Sequence, residues 1–382
     1  MARVYLDHAS TTPARPDAVA ALNRWAALPP GDPGRVHEEG RIVRDALEDA
    51  RTEVGGFLGV APRQIVFTSG ATEAINAAVW GATRAAPGAP VLCADVEHSA
   101  VRDASARAAP VGTLAVDATG RLDVDELRAR LHDRDLLPPA LVHCQWANHE
   151  VGTLQPVREV VEACRDAGVP VHVDAAAACG HVPTDLGELD ADLVSVSAHK
   201  FGGVPGAGAL VVRRGSRFEP LLVGGAQERG RRAGLEPIPA LLAFGAAAAV
   251  LTEDGARRLH EEAARARTQI AEVLRGALDI DGIELVGPAD PEARLPHLLC
   301  LGVHGVEAEA VLIGLDRAGV AAHSGSACSS EVIEPSPVLE AMGADPSHSL
   351  RVSVGWTTTA LDCDTFVDAF GRVVAELRAL RG

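Results

Sequence analysis

Short apolar runs alternating with stretches of helical periodicity fill the first two thirds of the chain. Residues 64–70 (QIVFTSG) read as a buried strand running into a tight turn, and 71–82 as a helix. Apolar runs follow at 90–95, 140–145, 169–174, 193–197 and 209–212, each with a helical stretch nearby. Strands apolar on both faces and alternating with helices predict an α/β fold with a parallel or mostly parallel sheet covered on both sides. After about Pro239 the pattern changes. Two long helical stretches, 240–252 and 256–278, precede an apolar run at 297–303, a helix over 307–318 and strands near Val320 and Arg351. An amphipathic helix over 364–380 closes the chain, so a smaller α+β unit is expected here. No internal repeat or low-complexity linker marks the boundary.

At 382 residues the chain can bury a substantial core, and with only 3% aromatics that core must be built from Ala, Val and Leu. The formal charge of −17, with no basic stripe longer than the cluster Arg229, Arg231 and Arg232, argues against direct nucleic-acid binding. The N-terminus lacks an apolar signal core, and the longest mostly apolar stretch, 240–251, is too short to span a bilayer. A cytoplasmic protein with no membrane association is expected. The seven cysteines show no CxxC pair and no metal-ligand spacing, so neither a disulfide framework nor a metal centre is expected.

One residue stands out chemically. The chain holds a single lysine, Lys200, and uses arginine for every other basic side chain. Arginine does not lose its proton and cannot form an imine, so a position that keeps lysine points to amine chemistry. Lys200 sits in 197–203 (SAHKFGG), just after an apolar run, where Ser197 and His199 can donate to a phosphate. The segment 68–73 (TSGATE) is a strand–turn–helix junction whose free N–H groups suit an anion, although an ordinary helix cap reads the same way. Asp174 ends another apolar run and could pair with a protonated pyridine nitrogen; His98 could stack on a ring or move protons. Cys328 lies in a small polar stretch, 323–330 (HSGSACSS), followed by Pro335 and Pro337. That setting suits an accessible, mobile loop and a reactive thiol, although an incidental loop cysteine reads the same way. Arg351 begins a late strand, where its guanidinium could clamp a carboxylate.

In order and spacing these segments resemble the cysteine desulfurases of the pyridoxal-phosphate (PLP) fold type I, class-V aminotransferase-like group. The resemblance runs almost end to end, through 5–13 (YLDHASTTP), 37–41 (HEEGR), 68–73, Glu97-His98, 148–152 (NHEVG), 172–174 (HVD), 197–200 (SAHK), 227–232 (QERGRR), 324–328 (SGSAC) and 351–355 (RVSVG). The SGSAC form with a long stretch after it is similar to the subgroup with a mobile cysteine loop. The resemblance implies a large PLP-binding domain over 15–250 and a small domain from 1–14 and 251–382 carrying the cysteine loop. It implies that Lys200 holds PLP covalently and shuttles protons, that His98 stacks on the ring and assists as acid–base, and that Asp174 pairs with the ring nitrogen. Ala71, Thr72, Ser197 and His199 would bind the phosphate, and Asn148 and Arg351 the substrate. Cys328 would take sulfur from L-cysteine, leaving alanine and a persulfide to be passed to an acceptor protein. A homodimer is also implied.

Three positions depart from that pattern. His149 stands where the family has a second asparagine, Ala177 where it has a glutamine, and Leu235 where it has a threonine that reaches the neighbouring subunit's phosphate. The first two would normally contact substrate or the cofactor's phenolic oxygen, and His149 could replace both contacts. The alternatives are another PLP lyase reaction (selenocysteine lysis or β-elimination) or a non-enzymatic sulfur-transfer scaffold.

Overall fold

A computed structural model describes residues 3–27, 30–216, 218–324 and 335–380. Twelve strands occur among the described residues: β1 (Val4–Tyr5), β2 (Ile65–Thr68), β3 (Val91–Ala94), β4 (Val111–Leu114), β5 (Leu141–Gln145), β6 (Val171–Asp174), β7 (Leu193–Ser197), β8 (Gly208–Val212), β9 (Ile283–Val286), β10 (Leu298–Val303), β11 (Val320–Ala321) and β12 (Ser349–Ser353). Seven of them form one sheet in the order β2-β8-β7-β6-β5-β3-β4. Every neighbouring pair is parallel except the two that β8 makes. The mostly parallel sheet expected from the doubly apolar runs is therefore present.

Strand periodicity explains why those runs are apolar throughout. Ile65 and Phe67 face one core with Leu92, Ala94, Val142 and Cys144, whereas Val66, Val91, Cys93 and Leu141 face another on the opposite side. Successive side chains point to opposite faces, and helices cover both. Helix Ala71–Ala85 packs on the second face through Ala74, Ile75, Ala78 and Val79. The close approach of β2 to β8 requires Gly208, where an added Cβ would stand 2.6 Å from Gly70 Cα.

A separate core is built from β9, β10 and β12, which form an antiparallel three-stranded sheet, and from helix Ala360–Ala379. Val4 and Leu6 join this core, because β1 pairs with β11 and Asp7 bridges to Ser353. Helix Ile238–Leu278 links the two cores. Leu241, Phe244 and Leu251 pack in the first; Ile270, Val273 and Ala277 pack in the second. Four residues with non-helical backbone, Glu253 to Ala256, interrupt it at the break expected between residues 252 and 256. By length and composition this helix could cross a membrane, but its apolar residues are spent on the two cores.

The turn Gln227–Gly230 is held by a buried ion pair. Glu228 and Arg229 both adopt positive φ, a conformation that costs a non-glycine residue of order 1–3 kcal/mol. The Glu228 carboxylate, fully buried, accepts from Arg51 Nη1 and Nη2 at 2.7 and 2.8 Å and from Phe67 N at 2.8 Å. Removing the guanidinium would strand that carboxylate. Arg51→Ala is expected to lower unfolding free energy by about 3–5 kcal/mol in urea denaturation. Arg257→Ala, which removes two exposed pairs, is expected to leave stability unchanged.

Candidate active site

The carboxyl ends of β2, β3, β5, β6 and β7 open on one edge of the sheet, where α/β folds place their ligands. A cavity of about 390 Å³ lies there. Its wall brings together Ala71, Thr72, His98, His149, Asp174, Ser197, His199 and Lys200, all expected from the sequence, and also Ala177.

Lys200 ends the short turn Ala198–Lys200 after β7, and its Nζ donates to Ala9 O at 2.6 Å. Burial and the Arg351 charge pull its pKa down to about 8, against the opposing pull of Asp174 and Asp7. A useful fraction of neutral amine is thus present near neutral pH. The turn itself is anchored from both sides. Thr12 N donates to His199 O, and Arg15 Nε donates to Phe201 O while its guanidinium pairs with Glu262.

Asp174 closes β6. Burial raises its pKa, while hydrogen bonds from Ser195 Oγ (2.8 Å) and Ala176 N (3.1 Å), both to Oδ1, favour the ionised form. Among the described residues no donor reaches Oδ2, so a cationic donor arriving from the cavity would find an open acceptor. Beside Asp174, Glu97 accepts from Gln145 N at 2.6 Å. Burial, with Asp174 nearby, pushes its pKa up to about 8, so it is neutral at pH 7.

Helix Ala71–Ala85 begins at Gly70 with no side chain capping it. The N–H groups of its first turn have no partner within the helix and point outward, which suits an anion. Glu73 is turned away from that role: its carboxylate accepts from Ser69 N at 2.9 Å and pairs with Arg232 Nε at 2.9 Å. His98 caps helix Ser99–Ala108, its Nδ1 accepting from Ala100 N at 3.0 Å.

Two expected site residues lie behind the wall. Asn148 is fully buried and is not part of the cavity wall. Its Oδ1 accepts from Glu150 N and Val151 N, and its Nδ2 donates to Val96 O, so it holds the turn on which His149 is displayed. Arg351 is buried, with Nη1 donating to His149 O (2.8 Å) and Nη2 to Asp7 Oδ1 (2.8 Å) and Ser10 Oγ (2.6 Å). Its Nε is buried without a partner among the described residues. Leu235 is exposed. Cys328 lies outside the described residues.

The other six cysteines are all buried and free. Burial pushes the thiols of Cys93, Cys164, Cys179 and Cys300 up to about 12 and that of Cys363 to about 11, and raises Cys144 as well. None of them offers a thiolate at neutral pH.

Sequence reading missed Ser195, Gln145 and the Glu73–Arg232 pair as supports of the site. The first two were within reach: Ser195 lies two residues before Ser197 on one strand face, and Gln145 pairs in register with Asp174. The ion pair joins residues 159 apart, and no local pattern announces it.

The chain is similar to known proteins along its whole length. The aminotransferase class-V family pattern matches residues 4–366. A cysteine desulfurase of Cereibacter sphaeroides is 39% identical over 100% of this chain and 98% of that protein. The IscS-like cysteine desulfurase of Mycobacterium tuberculosis is 38% identical over 98% of this chain and 97% of its own. Among solved structures, a NifS-like protein superposes with a TM-score of 0.88 at 29% identity, covering 98% of this chain and all of the other. The chain belongs to the aminotransferase class-V family, whose members work with PLP.

Proposed function

We propose that this enzyme is a cysteine desulfurase, converting L-cysteine to L-alanine and leaving the sulfur as a persulfide on Cys328. The observation that carries this reading is the placement of the chain's only lysine in a cavity with a buried carboxylate and an uncapped helix N-terminus. Its similarity over full length to cysteine desulfurases supports the choice of substrate.

The cavity fits PLP by the chemistry of its donors. Lys200 supplies the amine, Asp174 Oδ2 an open acceptor for a protonated ring nitrogen, and Ala71, Thr72, Ser197 and His199 the donors for a phosphate. When bound, PLP supplies an electron sink for bond breaking next to the amino-acid nitrogen. The protein's part is to place and protonate. Lys200, with its lowered pKa, gives up and takes back a proton close to the operating pH. Asp174 would hold a protonated ring nitrogen of the bound cofactor. A substrate carboxylate would compete with Asp7 and Ser10 for Arg351 Nη2. The sulfur is received by Cys328, because the other six thiols are buried and protonated.

We extend the reading to a cytoplasmic homodimer that hands the persulfide to an acceptor protein. Free buried cysteines suit a reducing compartment, and exposed Leu222, Val223 and Leu235 suit contact with a second copy.

Two outcomes are expected. Native protein titrated with a thiol reagent should show one fast-reacting thiol, lost in Cys328→Ala, and that variant should bind PLP yet release no alanine from L-cysteine. Retained turnover in the variant would instead indicate a lyase reaction independent of this thiol. Secondly, Lys200 of PLP-free enzyme can capture the cofactor only as the neutral amine. The rate of PLP reconstitution, followed by absorbance, should rise about tenfold per pH unit below pH ~8 and level off above it.

A further inference from the structure

A histidine backed by a carboxylate stands on the cavity wall. The His149 ring lies edge-on to His98, with centroids 4.9 Å apart, and its Nε2 is 3.5 Å from Glu150 Oε1. Glu150 is buried, and its other oxygen accepts from Ser336 Oγ at 2.6 Å. Ser336, itself buried, is fixed as the cap of helix Pro337–Ala341. The backbone is held as firmly: Arg351 donates to His149 O, and Asn148 Oδ1 accepts from Glu150 N and Val151 N. A carboxylate oxygen 3.5 Å from Nε2 attracts a proton on that nitrogen. In the neutral ring the lone pair is then on Nδ1.

His98 cannot offer a lone pair to the same cavity. Its Nδ1 accepts from Ala100 N, so the neutral ring carries its proton on Nε2. Taking a second proton would turn an N–H toward the Ala100 N–H and break the helix cap. Burial and the charges of His149, Lys200 and Arg102 act in the same direction, holding its pKa at about 3. His98 is therefore a hydrogen-bond donor to the cavity.

We propose that His149, oriented by Glu150, is the proton acceptor for the incoming amino acid. This rests on the desulfurase reading for its substrate. The ammonium of L-cysteine must lose a proton before its nitrogen can act as a nucleophile. The N–H bond breaks with its electron pair staying on nitrogen, a bond forms from Nδ1 of His149 to that proton, and the positive charge moves onto the imidazolium beside Glu150. Around the ring, Glu150 and Asp174 favour that charge. Arg351, which holds the carbonyl, and Lys200, which acts on both His98 and Asp174, oppose it. His98 is neutral and Ser336 carries no charge. Glu150 is a positioning residue.

The test mixes PLP-loaded enzyme with L-cysteine and follows the cofactor absorbance change by stopped flow across pH. Wild type should show a rate that falls on the acid side as His149 becomes protonated. His149→Asn should slow the change roughly 10²-fold and abolish that acid limb. Glu150→Gln should keep the limb and slow the change less than His149→Asn does, because the ring loses only its positioning partner. Added imidazole should restore part of the rate to His149→Gly. A His149→Asn rate within about twofold of wild type, a persisting acid limb, or no rescue by imidazole overturns the assignment. Alanine release is read separately. If wild type releases none while the absorbance change still depends on His149, the desulfurase reading fails and the proton acceptor stands.

Discussion

Keeping one amine reactive in a buried site is the constraint around which this protein is organised. A lysine taken out of water tends to lose its charge, and here the loss is partial, with Lys200 held at about 8 between the lowering effects of burial and Arg351 and the raising effects of Asp174 and Asp7. Had Asp174 been absent, burial would act unopposed from the sheet side. Had the site been open, far less neutral amine would be present at neutral pH. The structure meets both requirements by ending β6 and β7 side by side, so that a carboxylate and an amine leave the same edge of the sheet.

Much of the remaining architecture serves to hold the turns that follow those strands. The segment from Asp7 to Thr12 runs from the small sheet to the lysine: Asp7 and Ser10 engage Arg351, Ala9 O accepts from Lys200, and Thr12 is bonded to His199 O. Arg15 and Glu262 tie the far side of the same turn to helix Ile238–Leu278. At the other end of the cavity, Glu73–Arg232 and Arg51–Glu228 brace the turn after β2 through the strained Gln227–Gly230 segment. These are long-range ion pairs, largely shielded from water, and each is worth most as a device for fixing geometry.

The parts legible in the sequence are those with local signals. Doubly apolar runs announced the parallel sheet, because both faces of each central strand are covered. The break near residues 253–256 was visible as a loss of helical pattern. The singular lysine points to amine chemistry by its residue type, and most of the residues expected around it do line one cavity. What stayed hidden depends on long-range contact. Asn148, expected at the substrate, also holds its own turn through hydrogen bonds to Val96, Glu150 and Val151. Arg351, expected to clamp a carboxylate, is engaged by Asp7, 344 residues away. The burial of the other six cysteines agrees with their apolar settings, from which the small polar stretch around Cys328 already stands apart in the sequence.

The central claim is that sulfur leaves L-cysteine and comes to rest on Cys328. Mass spectrometry of the PLP-loaded enzyme after a single turnover with sulfur-labelled L-cysteine, without reductant, tests it directly. One labelled sulfur atom on the peptide containing Cys328, with alanine formed in equal amount, is the expected result. Labelled sulfur found only in solution, or on a peptide containing one of the buried cysteines, would contradict the account.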